Sequence, residues 1–138
     1  MNPILKNILI TVAAFVAGMA ANMVIVTLSF LIIPVEGMDM SDPESFVANA
    51  HKLTAAHYVL ALLAHASMGL VAAYITGKYA TGNKYYYAAG FGILFLFFGY
   101  INLQDLPHPE WFAWVDLILC YIPASFLGAS IAKRNKNS

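Results

Sequence analysis

Asp116 and His65 are the residues of this 138-residue chain whose surroundings make their chemistry most costly to keep. Asp116 is the only formally charged residue inside any of four long apolar stretches, and His65 lies within another of them. In hydrocarbon, an acid or an imidazole normally faces the interior of a helix bundle or a water-filled cavity, where it pairs or carries out function. Together the two types can form an ion pair, act as acid and base, or pass a proton. Both head stripes of small residues recurring every fourth position. One runs Ala61, His65, Gly69, Ala73 and Gly77, and the other Asp116, Cys120, Ala124, Gly128 and Ala132. Such stripes let helix backbones approach closely.

Asn22 and Asn102 are the amides placed to join them, so the expected site is a polar pocket centred on His65 and Asp116 in the outer half of the protein. Glu36, His57, Asp105, His108 and Glu110 stand nearer the ends of the apolar stretches and are expected to form a vestibule above it. A plainer reading covers the same residues. The asparagines are ordinary interhelical hydrogen-bond partners, the vestibule residues are ordinary solvated polar groups, and an ion pair that only ties two helices has the same sequence as a pocket.

Motifs of soluble chemistry are missing: no glycine-rich phosphate loop, paired-histidine zinc helix, serine elbow or twin-cysteine site occurs. The histidines at 51, 57, 65 and 108 lack metal-ligand spacing. His57, His65, His108 and nearby carboxylates would suit a divalent transition metal if they converged, and which metal is left unknown. Cys120 is the only cysteine, so no internal disulfide forms, and in its apolar run the thiol reads as a small hydrophobe. No cofactor is expected.

The elements that must carry these residues follow from composition. Hydrophobic residues are 61% and charged residues 10% of the chain, against about 25% charge in a soluble domain. Membrane lipids are therefore the expected surroundings, and with no basic patch there is no nucleic-acid partner. No charge stands between Lys6 and Glu36, and similar runs lie between Lys52 and Lys78, Lys84 and Asp105, and Glu110 and Lys133. Each approaches or exceeds the ~20 residues that span a bilayer. Lipid cannot satisfy free backbone groups and the runs lack period-two alternation, so helices are required. The fold class is all-α: a single domain over 1–138, a four-transmembrane-helix bundle with helices at about 7–34, 53–77, 85–104 and 111–132. The first run continues past Gly18-Met19-Ala20-Ala21 to Ile33, too long for a signal core, and reads as an uncleaved helix.

Lys6, Lys78, Lys84, Lys133, Arg134 and Lys136 fall at the N-terminus, the second-to-third loop and the C-terminus, which four crossings put on one side. That side should be cytoplasmic, with both termini on it. The acidic residues Glu36, Asp39, Asp42, Glu44, Asp105, Glu110 and Asp116 sort to the other side, with Lys52 as the exception. In the first outer loop Ser41 reads as a helix cap, completed as a capping box by Glu44, with Pro43 in the first turn. Phe46, Ala50, Leu53 and His57 then share a face, giving a short amphipathic helix on the outer surface. Pro123 should kink the last helix and free the Leu119 carbonyl. Asp42-Pro43-Glu44-Ser45-Phe46 and His108-Pro109-Glu110-Trp111-Phe112 hint at a two-plus-two internal repeat.

Asn22-Met23, Ile32-Ile33-Pro34 with Glu36-Gly37, Ala64-His65-Ala66, Leu106-Pro107, Trp111-Phe112, Asp116-Leu117 and Tyr121-Ile122-Pro123 together resemble a group of uncharacterised small four-helix integral membrane proteins of bacteria, of the Bacteroidetes type. The resemblance runs over nearly the whole chain and implies a bacterial inner-membrane setting. It transfers no catalytic residue.

Three functions fit the residues. The first is a structural or accessory membrane protein whose polar cluster fixes helix packing. The second is a transporter or sensor of a proton, metal ion or small solute through an outward-facing His/Asp pocket, working as a homo-oligomer built on the small-residue faces. The third is a membrane-embedded enzyme on a lipid-like substrate, with His65 and Asp116 as acid and base.

Overall fold

A computed structural model describes residues 1–134, which form six α-helices and no strand. Lys136, one of the charges in the orientation argument, lies outside the described residues. The helices are α1 (Pro3–Ile32), α2 (Pro43–Asn49), α3 (Ala55–Tyr79), α4 (Lys84–Asp105), α5 (Glu110–Leu119) and α6 (Ile122–Ile131), with a 3-10 turn at Ala50–Lys52. Among these, α1, α3, α4 and the α5–α6 pair are each long and apolar enough to cross a membrane. The shortest spans have 22 residues, about 33 Å at 1.5 Å per residue, which matches a ~30 Å hydrocarbon core.

Local chemistry sets the helix ends and moves them from where hydropathy alone puts them. The first helix begins at Pro3, ahead of the expected start near 7, because the Asn2 side chain caps it by accepting from the Ile4 N–H at 2.8 Å. It stops at Ile32 because Pro34 disfavours helical geometry in the residue before it. The second spanning helix starts at Ala55, two residues later than hydropathy suggests, behind a capping box made by Thr54 and His57.

In the connecting segment the N-cap is Asp42, not Ser41. The Asp42 carboxylate accepts from Glu44 N–H at 3.1 Å, while the Ser41 hydroxyl donates to Asp39 at 2.6 Å. That hydroxyl and the Ser41 N–H hold the exposed Asp39 carboxyl below its usual range. Adjacent Ser and Asp are both good caps, and the one nearer the helix takes the role. The two segments of the suggested repeat also diverge. Residues 43–49 make a separate helix followed by a 3-10 turn, whereas Glu110 directly opens a spanning helix.

The break in the last span falls at Cys120–Tyr121, just ahead of Pro123. Pro123 is accommodated in the first turn of α6, where its missing N–H costs nothing, and the regular helix is interrupted by a turn just before it.

Helix α3 is the axis of the bundle, and α1, α4, α5 and α6 all pack on it. The small-residue stripes are used within the chain. A Cβ on Gly77 would stand 2.8 Å from the Ala132 Cβ, and one on Gly128 would stand 2.9 Å from the Leu70 Cα. On α1, a Cβ at Gly18 would come 2.6 Å from the Met68 carbonyl oxygen. The core on this frame holds Ala14, Met68, Ala72, Phe91, Phe95, Cys120 and Tyr121. By contrast only 11% of the apolar window of α1 is buried. Its exposed Ile8, Val12, Val16 and Val24 suit lipid and not water.

Close approach through Gly128 yields a paired test. Gly128→Ala pushes a methyl into the Leu70 backbone and should lower stability by about 1–3 kcal/mol. Gly90 is also helical but meets nothing within 4 Å; Gly90→Ala should leave stability unchanged or raise it by up to about 1 kcal/mol. Unfolding in detergent micelles distinguishes the pair, and equal effects would contradict the packing described.

Candidate functional site

The two polar residues singled out by the apolar runs meet. His65 Nδ1, on α3, lies 2.7 Å from Asp116 Oδ1 on α5. A third group completes the cluster: the Tyr121 hydroxyl donates to Asp116 Oδ2 at 2.9 Å and sits 3.1 Å from the same His65 Nδ1. Both carboxylate oxygens act as acceptors, so Nδ1 carries the imidazole proton and shares it between Asp116 and the Tyr121 oxygen. Asp116 is 0% exposed and Tyr121 1% exposed. A carboxylate this deep is tolerable only because two donors face it. Among the described residues His65 makes no hydrogen bond through Nε2, and its side chain keeps 20% of its surface.

Sequence reading missed Tyr121, and helical geometry explains why. Five residues on in an unbroken helix, its side chain would sit about 140° around from Asp116. The interruption at Cys120–Tyr121 removes that offset, and Pro123 is the signal that it would. Gly99 on α4 makes the remaining room, since a Cβ there would come 2.7 Å from Tyr121 Cε2.

Above the cluster is a cavity of about 250 Å³, lined mostly by apolar side chains of α1, α3, α4 and α5 and by Met40 and Phe46 from the segment after α1. His65, Asp116, Asn102, His57 and His108 supply most of its polar lining. The other expected residues fall elsewhere. Asn22 does not line it, although its Oδ1 is buried without a partner among the described residues. Glu36, Asp105 and Glu110 are exposed outside it, so the vestibule reduces to two histidines.

Those two histidines have different roles. His57 is closed at both nitrogens: Nδ1 accepts from the Thr54 N–H at 3.0 Å, and Nε2–H donates to the Ile33 carbonyl at 2.8 Å, joining the start of α3 to the end of α1. His108 donates Nδ1–H to the Leu106 carbonyl at 2.7 Å. It lies across the Phe112 ring from His65, each imidazole being 6.3 Å from the ring centre. The histidines therefore do not converge, and no group of three metal-ligating side chains occurs among the described residues.

No protein-family model, curated protein or solved structure matches this chain. What the site can do is read from its geometry: a carboxylate and a phenol fix an imidazole through one nitrogen, the other makes no hydrogen bond among the described residues, and the same histidine lines an apolar cavity.

Tyr121→Phe keeps the ring and removes only the donor to Asp116. Loss of that bond, with a buried acceptor left behind, should cost about 1–3 kcal/mol in detergent unfolding. A change below about 0.5 kcal/mol would mean that the phenol is not part of the cluster.

Proposed function

We propose that this chain is a multi-pass protein of the bacterial inner membrane, both termini cytoplasmic, that receives a small, largely apolar solute in its outer half through His65, as a sensor or carrier. The sorting of Lys and Arg to one end of the bundle and of carboxylates to the other supports the orientation. The resemblance to small bacterial membrane proteins supports the setting. Helix α2 then lies at the outer surface with Phe46 turned onto Phe30, ring centres 6.4 Å apart, and Glu44 exposed, which fits an amphipathic cover.

One observation carries the pocket reading: within a single chain, His57 has both ring nitrogens occupied and His65 has one. A histidine kept only for packing in hydrocarbon is best placed as His57 is, with no polar atom left over. His65 instead has no hydrogen bond at Nε2 among the described residues, and its side chain lines a cavity of about 250 Å³. Apolar cavities of ~150 Å³ already bind benzene. A solute with one hydrogen-bond donor and an apolar body fits such a site. The structural reading keeps one argument, namely that the cluster joins α3 to α5 and to the turn before α6. It gives no use to Nε2.

Phenol is a suitable probe. With the protein in lipid nanodiscs and its histidines labelled with 15N, millimolar phenol should shift the Nε2 resonance of His65 and leave that of His57 in place, with a dissociation constant of about 1 mM or tighter. If neither resonance responds at saturating phenol, the pocket reading falls and the cluster is a packing tie.

A further inference from the structure

We infer that the natural occupant is a single-chain amphiphile dissolved in the bilayer, with a neutral hydroxyl head bonded to His65 Nε2 and its chain lying between α1 and α4. This rests on the pocket reading above and adds the ligand class and its route.

The route comes from how the helices part. Helices α1 and α4 both pack on α3 but meet each other little, their aromatic contact being Phe15 stacked on Phe95 at 5.8 Å. Beyond that stack, towards the end carrying residues 33–54, Val26 and Phe30 of α1 and Asn102 and Leu103 of α4 line the cavity. The cleft between the two helices therefore faces the bilayer. Met40 and Phe46 lie over the cavity, and their segment is held by hydrogen bonds from the Lys52 ammonium to the Glu36 carbonyl at 2.9 Å and from the Asn49 amide to the Gly37 carbonyl at 3.1 Å. The proposed route for the ligand is therefore the one through lipid, between α1 and α4.

The head group follows from the floor. Both oxygens of Asp116 are engaged and the residue is fully buried, so no carboxylate is free for a cationic head. An anionic head would bring a second negative charge close to Asp116 in a low-dielectric site. With the imidazole neutral and its proton on Nδ1, what is offered is the lone pair of Nε2, an acceptor for a neutral O–H. Length follows from volume. At ~30 Å³ for a water-sized group, about 250 Å³ holds roughly eight heavy atoms, so the last carbons of a ten-carbon alcohol would extend from the cavity between α1 and α4. Asn102 also gains a purpose, because an exposed amide on a lipid-facing helix sits on the path of a polar head entering the cleft.

The experiment uses the full chain in nanodiscs with three probes: a decan-1-ol carrying a terminal photoreactive diazirine, unlabelled decan-1-ol, and decanoate at a pH where it is ionised. Photolabelling should fall on peptides containing Val26–Phe30 and Asn102–Leu103. Decan-1-ol should compete it away, and decanoate should compete at least about tenfold less well. Decan-1-ol should also shift the His65 Nε2 resonance in the unsubstituted protein, a readout that needs no variant to fold. If phenol shifts that resonance and decan-1-ol neither shifts it nor competes, the pocket stands and the amphiphile assignment is overturned. Equal competition by decanoate overturns the neutral head group. Labelling spread evenly over lipid-facing positions such as Val16 and Ile93 overturns the seat between α1 and α4. Silence of His65 towards phenol and decan-1-ol alike removes both proposals together.

Discussion

A carboxylate buried in a helix bundle has to be satisfied, and the arrangement of this protein around Asp116 follows from that need. An isolated buried charge costs several kcal/mol even after relaxation. The chain meets the cost with two donors from different places, the imidazole of α3 and the phenol that follows the break between α5 and α6. Each donor constrains the fold further. The imidazole fixes how α3 and α5 lie against one another. The phenol needs Pro123 to interrupt the last span and Gly99 to leave space for its ring.

The same need explains why the site is asymmetric. Holding the imidazole at Nδ1 decides which nitrogen is left over, in the way that an outer partner sets the tautomer of a catalytic or metal-bound histidine. The cavity beside His65 is lined on one side by α1, a peripheral helix. That helix rests on α3 and touches α4 little, with Phe15 stacked on Phe95, and Val26 and Phe30 of α1 line the cavity with Asn102 and Leu103 of α4. His57 and the segment after α1 then hold this part of the bundle together without filling the cavity.

Much of the architecture is legible in the residues, because hydrocarbon imposes strict terms. Four apolar runs had to be helices, and the glycine positions at every fourth residue had to be contact points, as Gly69, Gly77 and Gly128 are. The contact of His65 with Asp116 was legible for the same reason: each is a costly group at the head of a small-residue stripe. Legibility ended where geometry departs from the regular helix. Tyr121 was invisible as a site residue because an ideal helix turns it away from Asp116. The N-cap went to Asp42 because adjacent Ser and Asp offer the same chemistry and only the backbone decides between them. Asn22, Glu36, Asp105 and Glu110 share polarity and depth with the pocket residues, but these fix height along the bundle and not direction around a helix.

The chemistry of the site depends on which nitrogen of His65 carries the proton, and 15N NMR of the histidine side chains in nanodiscs reads that directly. The structure requires opposite tautomers in the two histidines of α3: Nδ1–H for His65, facing Asp116 and Tyr121, and Nε2–H for His57, facing Ile33. Finding those two patterns in one spectrum is the result expected. Finding His65 protonated at Nε2, with Nδ1 bare, would mean that the carboxylate does not orient the ring, and the cluster, the cavity chemistry and the proposed ligand would lose their common basis.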